Sequence, residues 1–281
     1  MSRAGPTLLM LAVLVFLASS LAYALAPAPP APTVPSSRDA ASLLQGLPAG
    51  SQPVDLAGLF LRPGNPGMMA LLGLAWAALG YHAARQFLAG TEGVRQGIGP
   101  PAPRDLPAHG PQGHGPPKHG TQEHGLQEHA PLILGLLAGA LWPWLLGGWP
   151  LTAFLLSALM LACFLAAALR GVREGGQVQR SSSLGFVAGW GLLVCFAAFT
   201  ALLRDRLGLP QEVAAVIAML IGAVAAVSVQ LRMPKRIGFS VALIWGLIGI
   251  AASTVTTDTA IATVTVIAIA IIAVALVRVT T

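Results

Sequence analysis

Apolar residues fall in eight uninterrupted stretches, over residues 7–26, 67–88, 131–147, 151–169, 184–203, 213–231, 237–253 and 260–277, none with Asp, Glu, Lys or Arg near its middle. A hydrocarbon core about 30 Å thick needs roughly 20 helical residues, with about 17 as the lower limit. All eight stretches pass, the third and seventh only just. They are continuously apolar rather than alternating, so they predict helices and not a β-barrel, because lipid leaves every backbone N–H and C=O to be satisfied within the segment. The expected fold is all-α, a polytopic membrane bundle of about eight transmembrane helices.

Composition agrees. With 55% hydrophobic and 9% charged residues over 281 positions, the chain has too little polar surface for a soluble globule of its size. Charge sets the orientation, since Lys and Arg flank spans preferentially on the cytoplasmic side. With the N-terminus inside, twelve basic residues are cytoplasmic, among them Arg3, Arg85, Arg170, Arg232 and Arg278, and four are outside: Arg38, Arg62, Arg204 and Arg206. Both termini are therefore expected to be cytoplasmic, in a bacterial inner membrane. The net charge of +6 belongs to this topology and calls for no nucleic-acid partner.

The chain divides accordingly. Residues 1–26 are an N-terminal anchor or a signal segment, with a small-x-small site at Ala22, Tyr23 and Ala24. Residues 27–66 are an outside loop opening with a Pro-rich tract, in which DAASLLQGL has the pattern of a short amphipathic turn of helix. Residues 67–88 form a span, and 89–130 a cytoplasmic loop rich in His, Gly and Pro that is expected to be unstructured. Residues 131–281 form a six-helix membrane region. Small residues spaced for close helix approach, Gly135 with Gly139, Gly185 with Gly189 and Gly246 with Gly249, serve packing inside the bundle or a homodimer face.

Candidate chemistry is sparse. His109, His114, His119, His124 and His129 recur every five residues, and imidazoles suit Zn, Ni, Cu or Co. Five residues are about 500° of helical rotation, so successive rings share no helix face, and a preformed metal site is not expected. A metal transporter would also place ligands inside the membrane, yet His82, beside Tyr81 and Arg85, is the one spanning histidine. It reads either as a snorkelling interfacial residue or as a ligand contact, without a second spanning His to complete a bis-histidine haem site. Cys163 and Cys195 lie within spans as small packing residues. Neither HExxH, a phosphate-binding loop nor GxSxG is present, and the serines within spans have no partner base at helical spacing, so no enzyme is expected.

Six tryptophans remain. Trp142, Trp144 and Trp149 fall at the outer end of the third and fourth spans, where an aromatic belt is expected. Trp76, Trp190 and Trp245 lie deeper, either packed against neighbouring helices or lining a cavity for a flat apolar ligand.

Their contexts, RPGNPGMMALLGLAWAALGYHAARQ, SSSLGFVAGWGLLVCFAAFTALL and RIGFSVALIWGLIGIAAS, resemble in order and spacing the longer bacterial members of the tryptophan-rich sensory protein family. That family includes the mitochondrial translocator protein, or peripheral benzodiazepine receptor. The likeness extends over about residues 58–278. It implies a non-enzymatic helical membrane protein that binds porphyrins or sterol-like molecules, with Trp76, Tyr81, Trp190 and Trp245 as candidate pocket residues. The family's Trp- and Pro-rich first loop has no match here, and the His-rich loop is foreign to its pattern. The leading expectation is thus a membrane sensor for a hydrophobic or tetrapyrrole-like ligand, in contact with the lipid bilayer. Two other readings stand beside it: a small-solute or divalent-metal transporter whose histidines collect the ion, and a structural membrane scaffold.

Overall fold

A computed structural model of the chain describes residues 4–27, 55–96, 123–170, 172–174, 177–179, 182–232, 237–256 and 259–280. Among them are the helices α1 (Ala4–Leu25), α2 (Leu56–Leu61), α3 (Pro66–Gln96), α4 (Glu123–Leu145) and α5 (Pro150–Arg170). After α5 come two short strands, β1 (Val172–Glu174) and β2 (Gln177–Gln179). The chain continues through α6 (Ser182–Leu207), α7 (Gln211–Arg232), α8 (Ile237–Thr254) and α9 (Thr259–Thr280). Seven helices are long and apolar enough to cross a membrane, which makes this a multi-pass membrane protein. The third predicted span is helical too, but its apolar part, His129–Leu145, is shorter than those seven.

Two differences from the sequence reading lie in the connections. The stretch 89–130 is helical at both ends, because α3 runs on to Gln96 and α4 begins at Glu123. Between α5 and α6 the strands pair antiparallel, Val172 with Gln179 and Glu174 with Gln177, and the intervening sequence is Gly-Gly. A Gly-Gly pair between two short polar segments is a hairpin signal that hydropathy alone passes over. The DAASLLQGL segment lies outside the described residues.

The bundle is built around α6, whose most apolar window is 72% buried and which packs against α2, α3, α5, α7 and α8. Lipid tails are as apolar as leucine, so association depends on close packing rather than on escape from water. Glycine makes that packing possible. A Cβ on Gly189 would lie 2.5 Å from the Phe239 carbonyl oxygen, and one on Gly238 would lie 2.5 Å from the Ser182 carbonyl oxygen. Gly135 faces Cys163 and Phe164, Gly139 faces Phe16 and Met160, Gly246 faces Leu193 and Gly249 faces Met68. All the spaced glycines thus meet neighbours within the chain.

These contacts also give the helices their sense. Along α6 and α8 the pairs run Ser182 with Gly238, Gly189 with Ala242 and Leu193 with Gly246, so the two helices are parallel. Phe16 with Gly139, Ser19 with Ala140 and Tyr23 with Trp144 make α1 and α4 parallel, whereas Gly135 with Phe164 and Gly139 with Met160 make α4 and α5 antiparallel.

Buried polar groups are few and mostly satisfied locally. Ser157, Thr200 and Thr254 donate to carbonyls three or four residues back in their own helices, at 2.8, 3.0 and 2.8 Å. Ser240 of α8 donates to Gln230 Oε1 of α7 at 2.7 Å.

One expectation about the aromatic belt is corrected. Trp144 and Trp149 are 53% and 66% exposed, as interfacial anchors are, but Trp142 is 1% exposed and belongs to the core. Two residues is about 200° of helical turn, so Trp142 and Trp144 must face opposite ways.

Candidate functional site

A cavity of about 350 Å³ opens between the C-terminal turns of α1 and the first half of α3. Leu21, Ala24 and Leu25 form one wall, and Met69, Leu72, Gly73 and Trp76 the other. Both sets follow the three- and four-residue spacing of a single helix face. Arg62 and Pro63, from the turn between α2 and α3, close one end. The walls are apolar, and Arg62 is the charged side chain among them.

That end is built with some care. Asp55 caps α2 by accepting from the Ala57 N–H at 3.1 Å, and the Arg62 N–H closes the helix on the Gly58 carbonyl at 2.7 Å. Asn65 Oδ1 accepts from the Gly67 N–H at 2.9 Å, with Pro66 at the first position of α3, where its missing donor is harmless. Arg62 therefore has a fixed backbone. Its side chain is fixed as well: Nε donates to the Tyr23 carbonyl at 2.9 Å, and the guanidinium lies 4.3 Å from the Tyr23 ring centroid. Tyr23 meets Trp144 edge-on at 5.4 Å, and Trp144 Nε1 donates to Ser19 Oγ at 3.0 Å. Ser19 in turn donates to the Ala140 carbonyl at 2.6 Å. The chain of contacts ties the cavity mouth to the seam between α1 and α4.

Of the four aromatic residues singled out in the sequence, Trp76 lines this cavity. Its Nε1 is buried without a hydrogen-bond partner among the described residues, as are those of Trp142 and Trp190. Trp190 is 1% exposed and packs edge-on against Phe16 at 6.0 Å. Trp245 sits on the outer side of α8, 36% exposed, where Nε1 donates to the Gly67 carbonyl at 3.0 Å and ties α8 to the start of α3. Tyr81 is 62% exposed. The structure does not gather the four into one pocket.

Of the histidines, His109, His114 and His119 lie outside the described residues, and His124 lies on α4. His129 and His82 are buried, at 8% and 4% exposure, and His82 lies within electrostatic reach of both His129 and Arg85. Among the described residues no group of three or more His, Cys, Asp or Glu could hold a metal ion.

Arg62 and the α1 wall escaped the sequence reading. Arg62 entered it only as one of the outside charges, and α1 only as an anchor or signal. The available signal was the run RPGNPG, a charged residue held among helix-starting prolines immediately before a span.

No curated protein and no solved structure matches the chain. The family model described as TSPO-like protein matches residues 116–278. That stretch takes in α4 to α9, with Trp190 and Trp245, while Trp76, Tyr81 and the cavity between α1 and α3 precede it. Covering more than half of the 281 residues, the match establishes that the chain belongs to the TSPO-like protein family.

Proposed function

We propose that this protein is a binding protein, and through binding a sensor, for a flat hydrophobic ligand of the tetrapyrrole kind, held in the groove between α1 and α3. One observation carries the reading: the groove combines apolar helix faces with an indole wall and a volume in the range of small-molecule sites. Family membership supports a ligand-binding role over a catalytic one. The groove is open on one side, so a ligand larger than it would lie partly against lipid. Occupancy would set the distance between α1 and α3, both of which pack into the bundle, and so favour one arrangement of the helices over another.

The proposed setting is a bacterial inner membrane crossed eight times, α4 included, with both termini cytoplasmic. The parallel pairs α1 with α4 and α6 with α8, and the antiparallel pair α4 with α5, are those of alternating crossings. In that topology the groove opens toward the outer face.

Protoporphyrin IX titrated into the purified protein in nanodiscs should quench tryptophan fluorescence saturably. Gly73→Leu places a side chain into the groove where no atom lies within 4 Å of the new Cβ. It should lower affinity by about tenfold, and Trp76→Phe by about threefold through the lost indole face. Trp245→Phe serves as the reference. Equal affinity in all four proteins would remove the groove as the site.

A further inference from the structure

Resting on the reading of the groove as a ligand site, we propose that it selects a ligand with a carboxylate, and that Arg62 binds that group while the apolar body lies against Trp76. The guanidinium is held by Nε on the Tyr23 carbonyl and by its face on the Tyr23 ring. Its two terminal nitrogens make no hydrogen bond among the described residues. They form a fork of the spacing that takes both oxygens of a carboxylate. Asp55 does not occupy the fork: that carboxylate caps α2 through Ala57, and no ion pair joins it to Arg62 among the described residues.

Position strengthens the assignment. Arg62 lies four residues before the membrane-spanning part of α3 begins at Pro66, and the rest of the lining is apolar, so the groove offers a cation only at its mouth. From the start of α3 at Pro66 to Trp76 is about 15 Å of helix rise. A ligand lying along the groove therefore meets a cation at one end and an indole at the other. A neutral sterol-like molecule would leave the two terminal nitrogens without an acceptor at the membrane boundary, where an unmatched donor costs more than it does in water. A carboxylate on an extended ring system answers both ends at once. The phosphate of an anionic lipid could reach the same fork, but would bring flexible acyl chains to a wall that an indole makes flat.

The discriminating experiment compares protoporphyrin IX with its dimethyl ester, which keeps the ring and removes the charges. In phosphatidylcholine nanodiscs the acid should bind the native protein about tenfold more tightly than the ester. Arg62→Gln should bring the acid down to the ester's affinity and leave the ester unchanged, and Arg62→Lys should fall between, since a point charge replaces the fork. Thermal midpoints of both variants close to that of the native protein show that loss of the Tyr23 contacts has not unfolded the site. Equal binding of acid and ester by the native protein would overturn the proposal while leaving the groove intact, and so would an Arg62→Gln variant that weakens both alike. If phosphatidylglycerol in the nanodisc abolishes the acid's advantage, the fork is a lipid-phosphate site and the carboxylate assignment falls. If Gly73→Leu moves neither ligand, the groove itself is not the site, and this proposal falls with it.

Discussion

Gly189→Leu should prevent the bundle from assembling, whereas the same substitution at Gly73 should leave the fold intact. At position 189 even the first carbon of a side chain would stand 2.5 Å from the Phe239 carbonyl oxygen and 2.9 Å from Ala242 Cβ. The nearer obstacle is backbone, so no rotamer change relieves it. α6 and α8 would have to separate along their whole parallel contact, and that contact includes the second close approach at Gly238. A methyl alone, in Gly189→Ala, should cost about 1–3 kcal/mol. The leucine, with three further carbons in the same place, should exceed what a marginally stable bundle tolerates. At Gly73 no atom lies within 4 Å of the added Cβ, and replacing a mid-helix glycine even favours the helix slightly. Membrane yield and gel-filtration profile in detergent decide the matter. A monodisperse Gly189→Leu protein with a native thermal midpoint would show that α6 and α8 do not cross as described.

The contrast between these two glycines marks what hydropathy reveals and what it conceals. The spans were legible because lipid imposes both helix and length, and each predicted stretch returns as a helix, its ends shifted by at most four residues except where α3 runs on to Gln96 and α4 begins at Glu123. The spaced glycines also pointed to helix contacts, which they make. The arrangement of the helices was much less legible. A soluble helix announces its buried side by an apolar stripe, but a helix surrounded by lipid is apolar all round, so sequence does not tell which face of α3 or α8 meets a neighbour. Trp142 and Trp144 illustrate the ambiguity: both fit an interfacial belt, and only one is at the surface. Trp190 and Trp245 read alike as tryptophans at depth, yet one is sealed in the core against Phe16 and the other lies on the outside of α8. The groove was hidden for a related reason. One wall belongs to a helix whose sequence is equally that of an anchor or a signal, and its charged end lies in a loop where Arg62 reads only as topology.

Phe16→Ala should destabilise the protein by about 2 kcal/mol, an effect unexpected for a helix that served only as an anchor. Phe16 is 1% exposed and fits between α4 and α6, its ring beside Gly139 on one side and edge-on to Trp190 on the other. In a soluble core, Phe→Ala costs about 3–5 kcal/mol, part from transfer out of water and part from the void left behind. Inside a bilayer the transfer part largely vanishes, since the separated helix would find lipid as apolar as the core. The lost packing remains, because lipid chains cannot reach a site closed by α1 itself, and that sets the smaller figure. Leu14→Ala is the control: Leu14 is 56% exposed on the same helix and should change little. Thermal midpoints in detergent should therefore fall by several degrees for Phe16→Ala and stay level for Leu14→Ala. Equal midpoints would mean that α1 adds no packing to the bundle. A lower midpoint carries a further consequence for binding. Leu21, Ala24 and Leu25 are one wall of the groove, and the Tyr23 carbonyl fixes Arg62 at its mouth. Anything that loosens α1 from Gly139 and Trp190 then loosens the ligand site as well, so porphyrin affinity should fall in Phe16→Ala although the residue lies outside the groove.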